Sequence, residues 1–232
     1  MFGLDDRIAE LSHGASIGVV LLVAAVLGLR HATDPDHIAA VATLVASGRE
    51  RVGRSAARLG VWWGLGHATT LVAFGVPILL FDAYLPDVAQ QSAETLVALV
   101  IVALAVRLLV RSRRGSFHLH AHDEPEAHRH TVRTPSEALG IGLVHGMGGS
   151  AGVGVLLLAA VPSRTVAIAA LVLLALFTAV SMAVVTSGFG AALARGARGE
   201  SMLVAAPAFG LLSLGFGLWY AAAAWSLAPY PF

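Results

Sequence analysis

Two histidines, two aspartates and one arginine lie within eight positions of an otherwise apolar part of the sequence. Positions 30–37 read Arg-His-Ala-Thr-Asp-Pro-Asp-His, with apolar residues before and after them. Ionisable side chains in such a run are costly in lipid and usually face a partner, a cavity or a substrate path. Imidazole nitrogens and carboxylate oxygens also bind Ni²⁺, Co²⁺ or Zn²⁺. We therefore expect a cation site with His31, Asp36 and His37 as ligands; the alternative is a buried polar contact that only holds helices together.

Pro35 predicts that this part of the chain forms two helices rather than one. Proline lacks an N–H and disfavours the α conformation in the residue before it. Asp34, Pro35 and Asp36 have the composition of a helix N-cap and first turn. One helix should therefore end near His31 and the next begin near Pro35, with negative charge at the break. Asp34 is expected beside the site, and Arg30 is expected to pair with Asp34, Asp36 or a carbonyl at the break.

The composition indicates an integral membrane protein. Of the 232 residues, 57% are hydrophobic and 12% are charged, whereas about a quarter of the residues of a soluble domain are charged. The sequence contains no cysteine, which excludes disulfides and thiolate metal sites. It also contains no Gly-Lys-Ser/Thr phosphate loop, so it does not encode a P-loop ATPase, and no nucleic-acid partner is expected.

Hydrophobic segments predict six membrane spans. At about 20 residues per span, they lie at 15–46, 59–81, 93–111, 137–161, 165–193 and 202–228. The first segment is too long for one straight crossing. Eleven arginines lie in the odd-numbered connections and two in the alternate positions, which places the odd-numbered connections in the cytoplasm. We therefore expect a multi-pass protein of the cell membrane with both termini extracytoplasmic.

An offset of 114 residues relates the two halves of the sequence. It matches Gly28 with Gly142, Leu29 with Leu143, His31 with His145, Val41 with Val155, and Leu44 with Leu158. The expected fold is an all-α membrane protein of about six transmembrane helices, arranged as a 3+3 inverted repeat with helices 1 and 4 interrupted. The offset makes His145 a candidate for an additional ligand or a residue that orients the ligands, and it matches His67 with Ser181. The alternative for both His145 and Ser181 is hydrogen bonding and close packing between helices.

A histidine-rich polar tract separates the two halves. Its candidate metal-binding residues are His118, His120, His122, His128 and His130. Short tracts of this composition bind metal ions, so a cytoplasmic buffer or sensor is expected here, although a merely solvated loop is the alternative. The expected division is an extracytoplasmic tail at 1–14, a first three-helix repeat at 15–114, this cytoplasmic loop at 115–136, and a second repeat at 137–228.

The pattern of His31, four residues, Asp36 and His37 resembles the signature helix of the nickel/cobalt transporter family. The segment Gly-Leu-Gly-His-Ala-Thr-Thr at 64–70 is similar to the family's Leu-Gly-His-Ser/Thr segment. The resemblance implies a permease in which these residues and His67 recognise the metal. Long members carry an acidic Leu-Gly-Phe-Asp-Thr-Ala-Thr-Glu segment where this chain has Val-His-Gly-Met-Gly-Gly-Ser-Ala-Gly. The chain therefore looks closer to the short six-helix members grouped with urease-accessory membrane proteins.

Two functions fit these observations. The first is transport of Ni²⁺, Co²⁺ or both through the broken first helix, with Zn²⁺ as a further candidate ion and no permanently bound cofactor. The second is an intramembrane zinc hydrolase, in which His31, His37 and His67, with His145 as a further candidate, hold Zn²⁺ and Asp36 acts as the base for an activated water. Paired interrupted helices favour transport, so we predict a transporter and not an enzyme. Expected partners are the metal ion and the bilayer. Further candidates are a urease or hydrogenase maturation protein, an energising subunit and a second copy of the chain.

Overall fold

The computed structural model describes residues 17–46, 52–81, 86–113, 134–148, 150–196 and 200–230, and within these ranges the regular structure is entirely helical. The helices are α1 (Ile17–His31), α2 (Pro35–Ala46), α3 (Val52–Phe81), α4 (Asp87–Arg113), α5 (Pro135–His145), α6 (Ser150–Ala159), α7 (Arg164–Gly196) and α8 (Glu200–Ala224). The prediction of an all-α protein is confirmed.

Four of these helices, α3, α4, α7 and α8, are long and apolar enough to cross a membrane. The pair α1 and α2 passes the same test only when the two are taken together, and it is bent by 44° at the break. The described residues therefore contain four spans, or five if the bent pair counts as one. The chain is a multi-pass membrane protein. The predicted fourth span is occupied by two short helices of 11 and 10 residues, α5 and α6, so the count of six spans stays a prediction.

The break between α1 and α2 lies where Pro35 predicts it. The backbone N–H of Thr33 donates to the carbonyl of Arg30 at 2.8 Å, and that of Asp34 donates to the carbonyl of His31 at 3.1 Å, so the last turn of α1 closes tightly. The carbonyl of Asp34 then accepts from the N–H of Ile38 at 3.0 Å and starts α2. Backbone groups near the break are thus satisfied locally, as a helix interruption inside a membrane protein requires.

A second interruption separates α5 from α6, after His145. Helix α5 begins with a capping box, in which the hydroxyl of Thr134 accepts from the N–H of Glu137 and the Glu137 carboxylate accepts from the N–H of Thr134, both at 3.2 Å. It ends at His145, and the N–H of Gly146 closes the last turn on the carbonyl of Gly142 at 3.0 Å. The interruption predicted in the second half is therefore present.

Small residues set how closely the helices approach one another. Helix α3 packs against α5 on one side and α7 on the other, α1 packs against α7, and α4 packs against α8. A Cβ atom on Gly28 would lie 2.5 Å from the carbonyl oxygen of Leu174, and one on Gly64 would lie 2.8 Å from that of Ala179. Lipid supplies no hydrophobic force between helices, so such close backbone contacts are a main source of their association. Outward-facing Leu, Val and Phe side chains cover the perimeter.

The contact between α3 and α5 gives the first testable prediction. A Cβ on Gly142 would collide with the carbonyl of Trp63, whereas one on Gly140, two residues earlier in α5, would meet nothing within 4 Å. Gly142→Ala should therefore lower the unfolding temperature of the detergent-solubilised protein, because overpacking costs about 1–3 kcal/mol. Gly140→Ala should be neutral or slightly stabilising, since alanine favours helix by about 1 kcal/mol. Equal unfolding temperatures for the two variants would contradict this close contact.

Candidate metal site

Three of the histidines singled out in the sequence converge at the first helix break. His31 ends α1, His37 lies in the first turn of α2, and His67 lies in the middle of α3. One nitrogen from each ring lies within 4.8 Å of the other two, and the ring centroids are 4.6–5.1 Å apart. Two nitrogens bound to one ion at about 2.1 Å are at most about 4.2 Å apart. A small rotation of the rings would therefore allow all three to hold one ion.

A carboxylate lies behind each of the two histidines at the break. Nδ1 of His31 is 3.2 Å from Oδ2 of Asp34, and Nδ1 of His37 is 3.0 Å from Oδ1 of Asp36. An ionised carboxylate can only accept a hydrogen bond, so in the neutral form of each ring Nδ1–H donates and Nε2 keeps its lone pair. Metal-binding histidines commonly have this arrangement, because the carboxylate fixes the tautomer and the ring orientation.

The imidazole nitrogen atoms turned away from these carboxylates lie at the centre of the group. Nε2 of His31 and Nε2 of His67 share a hydrogen bond of 3.0 Å, which is also about the separation of two nitrogens bound at right angles to one ion at about 2.1 Å. Nε2 of His37, Nδ1 of His67 and Oδ2 of Asp36 are buried and have no hydrogen-bond partner. Buried polar atoms are nearly always paired. Buried nitrogen and oxygen atoms without a hydrogen-bond partner are suitable ligands for a divalent transition-metal ion, since imidazole favours Ni²⁺, Co²⁺ and Zn²⁺ over Mg²⁺ and Ca²⁺.

The two aspartates and Arg30 lie around the histidines rather than among them. Asp34 contacts His31 through one oxygen and the guanidinium of Arg30, 3.8 Å away, through the other. The expected pairing of Arg30 with Asp34 is therefore present. Asp36 was expected as a ligand, but its Oδ1 is used by His37, and the group of mutually close donors comprises the three histidines. Its remaining oxygen is the part of Asp36 that could reach an ion.

His145 lies next to this group but outside it. The residue is fully buried, and its ring centroid is 5.4 Å from that of His37. Neither ring nitrogen makes a hydrogen bond. The structure thus brings His145, which the repeat made a candidate, into contact with one of the three histidines.

The other candidates take different positions. The Ser181 hydroxyl lies 2.9 Å from the carbonyl oxygen of Gly28 and 3.0 Å from that of Thr178. This contact joins α7 to α1, so Ser181 has the helix-packing role that the sequence offered as the alternative. The histidine-rich tract with His118, His120, His122, His128 and His130 lies outside the described residues.

The predicted site did not include Glu94, a buried carboxylate on α4 with 2% of its surface exposed. It accepts hydrogen bonds from the hydroxyl of Tyr230 at 2.6 Å and from the side-chain amide of Gln90 at 3.0 Å. Burial and this bond to Glu94 raise the pKa of Tyr230 above its usual range, so the phenol stays a donor. The signal was in the sequence, because Glu94 is the one acidic residue of the apolar segment 93–111 and such residues indicate functional sites.

The histidine group predicts the effect of single substitutions on nickel binding. His37→Ala and His67→Ala should each abolish measurable Ni²⁺ binding to the purified protein, because each removes one of three converging donors. Asp34→Asn should weaken binding by about 10–100-fold, as expected for the loss of a carboxylate that orients a ligand. Isothermal titration calorimetry would measure both effects.

Thr69→Ala is the matched control. Thr69 is exposed on α3, two residues after His67, and its hydroxyl donates to the Leu65 carbonyl of its own helix. This variant should bind Ni²⁺ like the unmodified protein. Unchanged binding in His37→Ala would show that the three histidines do not form the site.

The same chemistry predicts how binding depends on pH. Imidazole binds a metal ion only when its ring nitrogen is unprotonated, so protons compete with the ion. Affinity should therefore be constant above the usual histidine range near pH 6.5 and fall as the pH drops through it. Each competing imidazole adds up to about a tenfold loss per pH unit. Ni²⁺ titrations between about pH 7.5 and about pH 5 would test this, and a flat profile would argue against histidine ligands.

Comparison with known proteins agrees with this geometry. Residues 17–190 match the profile of the NicO family, described as high-affinity nickel-transport protein. The urease accessory protein UreH of Bacillus sp. (strain TB-90) is 32% identical over 136 residues, which cover 57% of this chain and 59% of UreH. The high-affinity nickel transport protein of Cupriavidus necator is 32% identical over 124 residues, covering 46% of this chain and 35% of that protein.

A third relative is the cobalt transport protein NhlF of Rhodococcus rhodochrous, 32% identical over 92 residues that cover 38% of this chain and 25% of NhlF. The chain thus spans less than two thirds of the length of each of these relatives. No solved structure matches it significantly. The resemblance noted from the sequence motifs is confirmed, because the match covers most of the chain, including His31, His37 and His67: the chain belongs to the NicO family of nickel-transport proteins.

Proposed function

We propose that this protein carries divalent transition-metal ions, nickel first, across the cell membrane, and that His31, His37 and His67 bind the ion on its way. The observation that carries the proposal is the convergence of three buried imidazoles at a helix break, within a group of apolar helices. Such a group has a high free-energy cost in lipid, and ionisable residues inside membrane segments therefore mark substrate and ion paths. The names of the relatives, which include nickel and cobalt transport proteins, support nickel and cobalt as the ions.

Asp36 and His145 complete the proposed site. The buried Asp36 oxygen without a partner and the two unbonded nitrogens of His145 are next to the three histidines. An ion that moves through the protein must be held weakly enough to leave, so a group of ligands that can exchange is suited to transport. In this proposal Asp34 orients His31, and Arg30 balances the charge of Asp34.

The proposed architecture is the 3+3 inverted repeat of six spans. When the bounds of α1 to α4 are shifted by 114 residues, they coincide with the bounds of α5 to α8 to within four residues. The helix contacts follow the same relation. The offset pairs α1 with α5 and α3 with α7, and α1 packs on α7 as α5 packs on α3. The helix pairs α1–α2 and α5–α6 would then be the two interrupted spans, and the site would lie where they meet.

The arginine distribution supports an orientation with both termini outside the cytoplasm. In this arrangement the repeats at 15–114 and 137–228 are joined by the cytoplasmic tract at 115–136, and the tail at 1–14 is extracytoplasmic. We propose that the histidines of the tract bind metal ions as an auxiliary store or sensor beside the transport site. Energy would come from an ion gradient, the membrane potential or a separate energising subunit.

The names of two relatives, a urease accessory protein and a hydrogenase nickel incorporation protein, favour a role for this chain in supplying metal to such enzymes. We include a urease or hydrogenase maturation protein as a proposed partner on that basis. The zinc hydrolase alternative has less support. Asp36, which would have to act as its base, is already bonded to His37 through one oxygen, and two of the relatives are named as transport proteins.

Transport can be tested directly in proteoliposomes. Radioactive Ni²⁺ uptake should saturate with concentration in the unmodified protein and in Thr69→Ala. It should fall to the level of protein-free vesicles in His37→Ala and His67→Ala, because the ion loses its ligands. The transport proposal would fail if the purified protein bound Ni²⁺ but moved no more of it across the vesicle membrane than empty vesicles do.

A further inference from the structure

A cavity of about 560 Å³ lies between α3, α4 and α6 and ends at the break between α5 and α6. The exposed residues Asp87 and Gln90, in the first turn of α4, line its mouth. Gly146, Met147 and Gly148, the residues of the break, line its other end, which we call the cavity floor. The cavity therefore leads from the end of α4 that carries an acidic side chain to the second helix interruption.

The cavity floor touches the helix that carries His67. A Cβ atom on Gly146 would lie 2.6 Å from the carbonyl oxygen of His67 and 2.8 Å from Cβ of Thr70. On its other side, the floor rests on α4, since a Cβ on Gly148 would lie 3.3 Å from Cα of Glu94. The cavity floor thus contacts the backbone of His67, the residue that α3 contributes to the histidine group. The residue before the floor is His145, whose ring nitrogens are unbonded.

We propose that this cavity is the access path by which a hydrated divalent cation reaches the buried histidines, an inference that rests on the proposed transport function. Six waters at about 30 Å³ each occupy about 180 Å³, so a hydrated ion fits within the volume. Asp87 attracts cations to the mouth. The lining also includes the small residues Ala89, Ala93 and Gly152.

The apolar part of the lining supports passage rather than storage. Leu71, Phe74 and Leu156 in the lining offer no ligand, so a hydrated ion would keep its water until it reached the break. The backbone at a helix interruption and the unbonded His145 are the first groups on this route that could replace that water. The alternative occupant is an acyl chain of the surrounding lipid. A cavity filled by an acyl chain would exclude charged reagents.

The chain contains no cysteine, so single cysteines can report on the cavity without a modified background. Ala93→Cys and Met147→Cys place a thiol on the wall and on the floor, and Leu99→Cys places one on an exposed apolar position of α4, 56% exposed. In lipid nanodiscs, a cationic thiol-specific reagent should modify the first two at least about tenfold faster than Leu99→Cys. An added Asp87→Asn change should remove the preference for the cationic over an anionic reagent.

Protection by Ni²⁺ tests whether the cavity leads to the histidine site. Ni²⁺ should slow modification of Met147→Cys, and this protection should disappear when His67→Ala is added, which excludes simple binding of Ni²⁺ to the thiol. Ala93→Cys keeps the accessibility test valid if Met147→Cys does not fold.

Two results would overturn the proposal. One is modification of both cavity cysteines only by a neutral, lipid-soluble reagent, which would identify a lipid-filled cleft. The other is fast modification of Met147→Cys that Ni²⁺ does not slow in a protein that binds Ni²⁺. Calorimetry on the same samples separates the access-path proposal from the transport proposal. Ni²⁺ binding in a protein whose cavity cysteines do not react with charged reagents would contradict the access path alone. Absence of Ni²⁺ binding would contradict both proposals.

Discussion

Burial of ionisable side chains in an apolar medium is the constraint on which the rest of this structure depends. An isolated charge or an unpaired polar group in lipid costs several kcal/mol, yet His31, Asp34, Asp36, His37 and His67 are all buried. The structure reduces this cost by pairing each histidine at the break with its own aspartate. Nε2 of His37 and Nδ1 of His67 have no hydrogen-bond partner, which leaves part of the cost uncompensated unless a cation binds there.

The helix break makes this pairing possible. In a continuous helix, His31 and His37 are six residues apart and would point away from each other. The turn before Pro35 bends the two helices by 44° and brings the two rings to 4.6 Å. Backbone groups near the turn keep their hydrogen bonds, so the bend does not add unpaired amides to the cost of the buried side chains.

Close helix packing at two glycines then brings the third histidine to the break. Helix α3 can carry His67 up to the break because Gly64 meets α7 and Gly66 meets α5 at backbone distance. Under the proposed repeat, the second half provides the same helix contacts without the same chemistry. The offset matches Asp34 with Gly148, and His67 with Ser181. One half therefore supplies most of the ligands, and the other supplies the packing, His145 and the floor of the cavity.

The sequence by itself determined the membrane class, the break at Pro35 and the histidines at the site. These follow from local causes: composition, the missing N–H of proline and ionisable residues in apolar segments. The motifs around His31, His37 and His67 were likewise sufficient to indicate the family, and the profile match confirms it.

Only the tertiary structure decided how those residues face one another. It placed Asp36 behind His37 rather than among the three close donors, used the Ser181 hydroxyl to join two helices, and buried Glu94 against Tyr230. The physical reason is that the direction of a side chain depends on how its helix is rotated and packed against its neighbours. That rotation is set by contacts between residues such as Gly28 and Leu174, which are far apart in the sequence.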